Sequence, residues 1–362
     1  MSSFKIENFI KDSVRKLSAY KINEVESPGA LKLDANESNY ILSENIKKKY
    51  ADYIKDTLIN LYPDSGSKNL LKLIEKFYNT APYNFIFGNG SDELISIILS
   101  SLKKDVTVNI PSPSFSMYEI IAKYNDLNTN IIKLSKKNFD LSENITEDIT
   151  KNKNLKNIFF FSYPNNPTGN HFNRNIIESL LENKNNIVVV DEAYLFFSHE
   201  QSFLKSISKS DNLIVLKTFS KIGLAGLRFG LLFSGNKLID EFKKIKLPYN
   251  INSLTLNSIE FFLNNFAEFD KNIKETLEQR QILYRALNKF DFAFVYPSDA
   301  NFLLIRLNNE KQKNKFDEFL KNNNIIIRGF TGDMKLYYRI TVGTPLENKK
   351  LADYFEKFNK SL

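Results

Sequence analysis

Short apolar runs of strand length recur through the first two thirds of the chain, at 85–87, 106–110, 157–162, 186–190, 213–217 and 229–233. Between several of them, apolar positions repeat every three and four residues, which predicts helices over 68–79, 91–103, 116–124 and 173–183. Runs such as Ile187-Val-Val-Val190 are apolar at every position, as expected of strands covered on both faces. Alternation of strand and helix therefore predicts an α/β fold with a mainly parallel central sheet flanked by helices. After Lys246-Leu-Pro-Tyr-Asn250 the rhythm changes. A long helical region extends to about 289, strands are expected near 292–296, 301–307, 325–328 and 337–342, and helices at 312–322 and 346–358. This is the pattern of a smaller α+β unit.

Composition sharpens the picture. The 362 residues exceed one typical domain, yet no Pro/Ser-rich linker divides them. Two closely packed units are expected over 33–250 and 251–362, with 1–32 an amino-terminal arm associated with the smaller unit. The net charge of +8 comes from lysines interspersed with acids, so it implies a solvated surface with some attraction for phosphorylated substrates, and no nucleic-acid segment stands out. The absence of cysteine excludes disulfides, metal-thiolate sites and a thiol nucleophile. His171 and His199 have no second histidine at ligand spacing and read as surface or loop residues, so no metal is expected. The first residues lack the apolar core of a signal peptide, and no uncharged stretch approaches the roughly 18 residues of a membrane helix, so a cytoplasmic protein is expected.

The candidate chemistry centres on Lys217-Thr-Phe-Ser-Lys-Ile-Gly-Leu-Ala-Gly-Leu-Arg228. Lys221 can form an imine with an aldehyde, while Thr218, Ser220 and Arg228 offer the hydroxyls and planar fork that a phosphate needs. The cofactor so implied is pyridoxal 5'-phosphate. Alone, the segment reads better as a solvated loop of a lysine-rich chain; upstream residues change that. Asp191 ends an apolar run, where the carboxyl end of a buried strand could hold a carboxylate against a pyridine nitrogen, with Glu192 facing the other way. Tyr194, and Asn166 in the turn Tyr163-Pro-Asn-Asn-Pro-Thr-Gly169, can donate to a phenolic oxygen, although the turn residues are also ordinary turn formers. The amides of Gly90, Ser91 and Asp92 open a predicted helix and could hold phosphate oxygens, or Ser91 and Asp92 could merely cap it. Phe115 follows a strand and is the candidate for stacking on a ring, against the core role that is the default among 31 phenylalanines.

Taken in order, Asn-Gly-Ser-Asp-Glu93, Pro-Ser-Phe115, Asn-Asn-Pro-Thr-Gly169, Asp-Glu-Ala-Tyr194 and the Ser220–Arg228 segment closely resemble the fold-type I pyridoxal-phosphate aminotransferases, specifically their histidinol-phosphate branch. The resemblance begins at Leu33-Asp-Ala-Asn-Glu37 and Leu61-Tyr-Pro-Asp64 and ends at Tyr338-Arg-Ile-Thr-Val-Gly-Thr344. It implies Lys221 as the Schiff-base lysine and proton shuttle, Asp191 as the pyridinium partner, and Asn166 and Tyr194 as phenolate donors. Tyr62 would reach the cofactor phosphate of a neighbouring subunit, which implies a homodimer. Arg339 would anchor the amino donor's carboxylate, with Arg328, Tyr20 and Asn36 in the substrate set. Without the resemblance, a structural salt bridge is the better reading of either arginine. The implied reaction moves an amino group between L-glutamate or 2-oxoglutarate and imidazole acetol phosphate or L-histidinol phosphate, in histidine biosynthesis. Phe115 stands where many relatives have tyrosine, and the gap from Lys221 to Arg228 is seven where others use eight. Alternatives are an aromatic or other amino-acid aminotransferase, a decarboxylase of a phosphorylated amino acid, and a non-catalytic regulator with the same fold.

Overall fold

The computed structural model describes residues 4–19, 29–64, 68–80, 85–142 and 155–362. Strand β1 is Leu31–Leu33, β2 Phe85–Asn89, β3 Val106–Ser112, β4 Asn128–Lys133, β5 Lys156–Ser162, β6 Asn186–Asp191, β7 Leu213–Thr218 and β8 Phe229–Ser234. Seven of these form one sheet in the order β2-β8-β7-β6-β5-β3-β4. The pairs from β4 through β7 are parallel, while β8 runs antiparallel to both β7 and β2. The apolar runs foretold every strand of this sheet except β4, whose sequence Asn-Thr-Asn-Ile-Ile-Lys is polar because it forms an edge with little burial.

Alternation along each strand divides its side chains between two cores. Phe159, Phe161, Val188, Val190 and Val215 face one side, covered by helices Lys68–Tyr78, Arg174–Leu180 and Ser253–Asn264. Ile158, Phe160, Val189, Ile214 and Leu216 face the other, under helices Gly90–Ser100, Met117–Tyr124 and Asn236–Ile245. Each such side chain contributes roughly 1.5–3 kcal/mol on burial, so neither face tolerates a wet residue cheaply. Buried Asn109, Asn157 and Asn186 are satisfied by one another and by exposed Asn130 on the edge strand: Asn130 donates to Asn109 (2.8 Å), Asn109 to Asn157 (3.2 Å) and Asn157 to Asn186 (3.3 Å). This ladder runs across four parallel strands and helps fix their register.

The rest of the chain adds β9 Ala293–Val295, β10 Phe302–Leu307, β11 Ile325–Gly329 and β12 Tyr337–Thr341, joined with β1 in a five-stranded sheet ordered β1-β11-β12-β10-β9. Leu31–Leu33 pairs in parallel with Ile325–Ile327, so a segment near the amino terminus closes the carboxyl-terminal sheet. Helices Glu310–Asn322 and Pro345–Asn359 cover that sheet. The latter opens with Pro345 and a capping box in which Thr344 and Glu347 satisfy each other's backbone amides. The long helical region is two helices, Ser253–Asn264 and Ala267–Leu287. Leu256, Ile259, Phe262 and Phe269 from them pack into the same core as the large sheet. His171 lies in a loop, mostly buried against Tyr163 and sharing a hydrogen bond with Ser198 (2.7 Å), so the loop reading holds and the surface one does not. Among the described residues, no helix is long and apolar enough to cross a membrane.

Glu192 and Lys217 sit on the face of the sheet away from Asp191 and Thr218, as the alternation of strand side chains requires. Lys217 Nζ lies 2.5 Å from Glu192 Oε2, with both side chains buried. Glu192 also accepts hydrogen bonds from Ser202 Oγ and the Phe203 amide. Removing one partner of such a pair strands the other charge. Lys217→Met is therefore expected to lower unfolding stability by about 3–5 kcal/mol, read by denaturant titration of the apoprotein; a loss below about 1 kcal/mol would show the pair to be dispensable.

Candidate active site

A cavity opens at the carboxyl ends of β5, β6 and β7, the usual ligand crevice of an open α/β sheet. Its lining brings together Ser91, Asp92, Phe115, Asn166, Asp191, Tyr194, Thr218, Ser220, Lys221 and Arg228, all singled out from the sequence, and adds Ser162 and Ala193. Parallel strands end here side by side, so residues as distant in the chain as Ser91 and Arg228 converge without any long loop.

Asp191 is the last residue of β6 and is buried. Its Oδ2 accepts from Tyr118 Oη (2.8 Å) and its Oδ1 from the Ala193 amide (3.1 Å). Burial pushes the carboxyl up to about 6, while the Tyr118 and Ala193 hydrogen bonds and the Lys221 charge pull it down. Tyr118 was not anticipated from the sequence. Its place three residues after Phe115, on the inward side of a short helix, was the available sign.

Tyr194 follows in the turn after β6, with its ring edge-on to Phe302 of the smaller sheet. Its hydroxyl accepts from Asn36 Nδ2 (3.0 Å) and Asn166 Nδ2 (3.3 Å). Asn36 reaches it from a left-handed backbone turn (φ 54°) just after β1. Asn166 is gripped in turn by Arg339 Nη1, which donates to its Oδ1 (2.7 Å), while Arg339 Nη2 donates to the Asp34 carbonyl (2.5 Å). The turn carrying Asn166 is further braced by Asn165, which bonds to Pro113 O and Thr168 Oγ1, and by Gly169, whose carbonyl accepts from the Asp299 amide. Arg339 is thus held by an amide and a carbonyl at the cavity's border, and β11 places Arg328 directly opposite it in register.

Lys221 follows β7 in a short 3-10 turn, and its Nζ lies 5.8 Å from the Tyr194 ring centroid. Thr218 donates to the Phe229 carbonyl (3.0 Å) and lies 2.9 Å from Ser220 Oγ, so the Ser220 proton is the one that can be redirected to a ligand. Arg228 occupies a left-handed position (φ 50°) and its Nη2 pairs with Asp92 (3.1 Å). Gly90 begins the helix Gly90–Ser100 at φ 76° and donates its amide to the Arg228 carbonyl (2.8 Å). A Cβ on Gly90 would lie 2.5 Å from Arg228 Nη2, and one on Gly230 would lie 2.8 Å from the Ser91 amide nitrogen. The glycines therefore let the helix start, β8 and the guanidinium close into one cradle. Together the groups suit a flat, phosphorylated ring bearing a positive nitrogen and an electrophilic carbon.

Two expected residues lie elsewhere. Tyr62 is exposed and stacks on Tyr249 (centroids 4.5 Å apart) in a separate groove with Leu58, Leu61 and Leu256, so its own chain does not bring it to the cavity. Arg328 is outside the cavity lining, beside Arg339. Tyr20 lies outside the described residues.

Fold and site together are those of a pyridoxal-type transferase, and the chain belongs to the family of aminotransferases of class I and II, whose model matches residues 28–355. It is 37% identical over 356 residues to the histidinol-phosphate aminotransferase of Vesicomyosocius okutanii, covering 98% of each chain. It is 36% identical over 361 residues to the enzyme of the same name from Aquifex aeolicus, covering 98% of this chain and 99% of the relative. The crystal structure of histidinol-phosphate aminotransferase from Sinorhizobium meliloti in complex with pyridoxal-5'-phosphate shares the fold, with a TM-score of 0.83 at 18% identity over 99% of both chains.

The Gly90 cradle is directly testable. Gly90→Ala is expected to displace Arg228 and weaken capture of pyridoxal 5'-phosphate by roughly 10–100-fold, the size of a lost charge-assisted hydrogen bond. Fluorescence titration of the apoprotein measures this; unchanged affinity would remove Arg228 from the cradle.

Proposed function

We propose that the protein is a histidinol-phosphate aminotransferase, exchanging the amino group between L-glutamate or 2-oxoglutarate and L-histidinol phosphate or imidazole acetol phosphate, with pyridoxal 5'-phosphate as cofactor. The observation that carries this reading is the meeting of Lys221, Asp191, Asn166, Tyr194 and Arg228 on one cavity. The names of the full-length relatives support the choice of substrate.

The residues fit the cofactor on their own chemistry: a buried carboxylate, an amine, a phenol with an amide beside it, and a glycine-lined cradle closed by a guanidinium. When bound, pyridoxal 5'-phosphate supplies an aldehyde that holds the substrate nitrogen and a cationic ring that draws electrons from Cα. Asp191 holds the proton on the ring nitrogen. Tyr194 and Asn166 would serve the ring oxygen, and Phe115 would cover the ring face. Ser220, Arg228 and the amides at Gly90–Asp92 grip the phosphate. Lys221 would hold the aldehyde end of the cofactor, and its amine would be the base placed to take up the proton at the substrate Cα.

Arg339 and Arg328 share one face of the small sheet in register, and their paired charge suits the carboxylate of glutamate and the phosphate of histidinol phosphate in turn. Tyr20 and Asn36 complete the proposed substrate set. Tyr62 would serve a second copy's phosphate, making the working form a homodimer; the exposed Leu61, Tyr62, Leu247 and Tyr249 suit burial in such a contact. We place the protein in the cytoplasm, with residues 33–250 as the cofactor unit, 251–362 as the smaller unit and 1–32 as the arm over the substrate.

Adding L-histidinol phosphate to the loaded protein without keto acid should abolish the cofactor's visible band, and 2-oxoglutarate should restore it. Response to phenylalanine but not to histidinol phosphate would reassign the substrate, and carbon dioxide release would make the protein a decarboxylase. Lys221→Ala should lose roughly 10⁴-fold or more in turnover while still retaining cofactor through the ring and phosphate contacts, as read by steady-state assay and cofactor content after gel filtration. An active variant would sink the assignment of Lys221.

A further inference from the structure

Tyr118 is fully buried, yet it carries a hydroxyl on a face of its helix that is otherwise apolar. Its ring is stacked on Phe160 of β5 (5.0 Å, 29°) and takes the edge of Phe115 (5.4 Å, 84°). A phenol locked in this way cannot turn its oxygen elsewhere, and that oxygen meets Asp191 Oδ2 at 2.8 Å. The Ala193 amide holds the other carboxylate oxygen from the turn that follows β6. Two donors from two separate elements fix the plane of the carboxylate, which one donor would leave free to rotate.

We infer that Tyr118 is a positioning residue that orients the Asp191 carboxylate toward the cofactor's ring nitrogen and, through its edge contact, sets Phe115 on the ring face in the same register. The inference rests on the pyridoxal reading for its target, but the orienting contact belongs to the protein alone. Because the hydrogen bond goes to the ionised form, it offsets part of the desolvation that burial imposes on Asp191. Other groups also act on this carboxyl. Lys221 favours its charge, Asp92 opposes it, and Tyr194, Ser162 and Arg228 line the same cavity. Removing the Tyr118 oxygen takes away this contact and the hydrogen bond that the same hydroxyl makes with Ser162, and leaves the ring in place.

The test begins on apoprotein labelled with ¹³Cγ-aspartate, with the Asp191 resonance identified by its loss in Asp191→Asn. Wild-type protein should titrate near 6. Tyr118→Phe, which keeps the ring and removes the oxygen, should move that midpoint upward by about one pH unit. Incorporating 3-fluorotyrosine at 118, a stronger donor of nearly the same shape, should move it downward and serves also if Tyr118→Phe fails to fold. Equal midpoints in the wild-type and substituted proteins overturn the proposal. In protein loaded with ring-¹⁵N pyridoxal 5'-phosphate, the ring nitrogen should lose its proton at lower pH in Tyr118→Phe than in wild type. A shifted carboxyl beside an unmoved ring nitrogen would overturn the link to the cofactor. Failure of wild-type protein to bind labelled cofactor would instead count against the functional reading, leaving the apoprotein result to stand by itself.

Discussion

The burial of a carboxylate at the end of β6 is the constraint on which the site depends. Three neighbouring parallel strands are apolar on both faces through their middles, so water is excluded there, and polar residues return at their carboxyl ends. A carboxylate left there would be costly, and the structure surrounds it with a phenol, a backbone amide and a nearby ammonium. The same low polarity that penalises Asp191 strengthens its attraction for any cation placed beside it. Stability and chemistry are therefore set by one placement.

Strand alternation separates two sets of polar groups that are adjacent in sequence. Asp191 and Thr218 line the cavity, whereas Glu192 and Lys217 form a buried ion pair on the opposite face. One pair of residues on neighbouring strands faces the cavity and its counterpart holds the sheet to the segment at Ser202–Phe203. Such a division needs rigid strands, because a one-residue slip would exchange the roles of the two faces.

The smaller sheet contributes by reaching over the end of the larger one. Asn36 after β1, Arg339 in β12 and Phe302 in β10 all touch Tyr194 or Asn166. Gly169 approaches Ser298 so closely that a side chain there would collide with it. The contacts bearing on Tyr194 and Asn166 thus come from both ends of the chain, and any movement between the sheets would alter the two together.

Local sequence determined the elements and the chemical inventory. Full apolar runs marked the buried strands, and the small-residue segments around Gly90 and Lys221 marked turns at strand ends, since both signals arise from short-range sterics and burial. The polar edge strand β4 escaped, because an edge needs no apolar pattern. Partnership was beyond local reading. Nothing near Tyr118 announces Asp191, 73 positions away, and nothing near Arg339 announces Asn166, 173 positions away. A hydrogen bond is set by distance and direction, and those are fixed only when sheet order and helix packing bring remote segments together. The sequence decided which groups the protein possesses; the tertiary structure decided which of them meet.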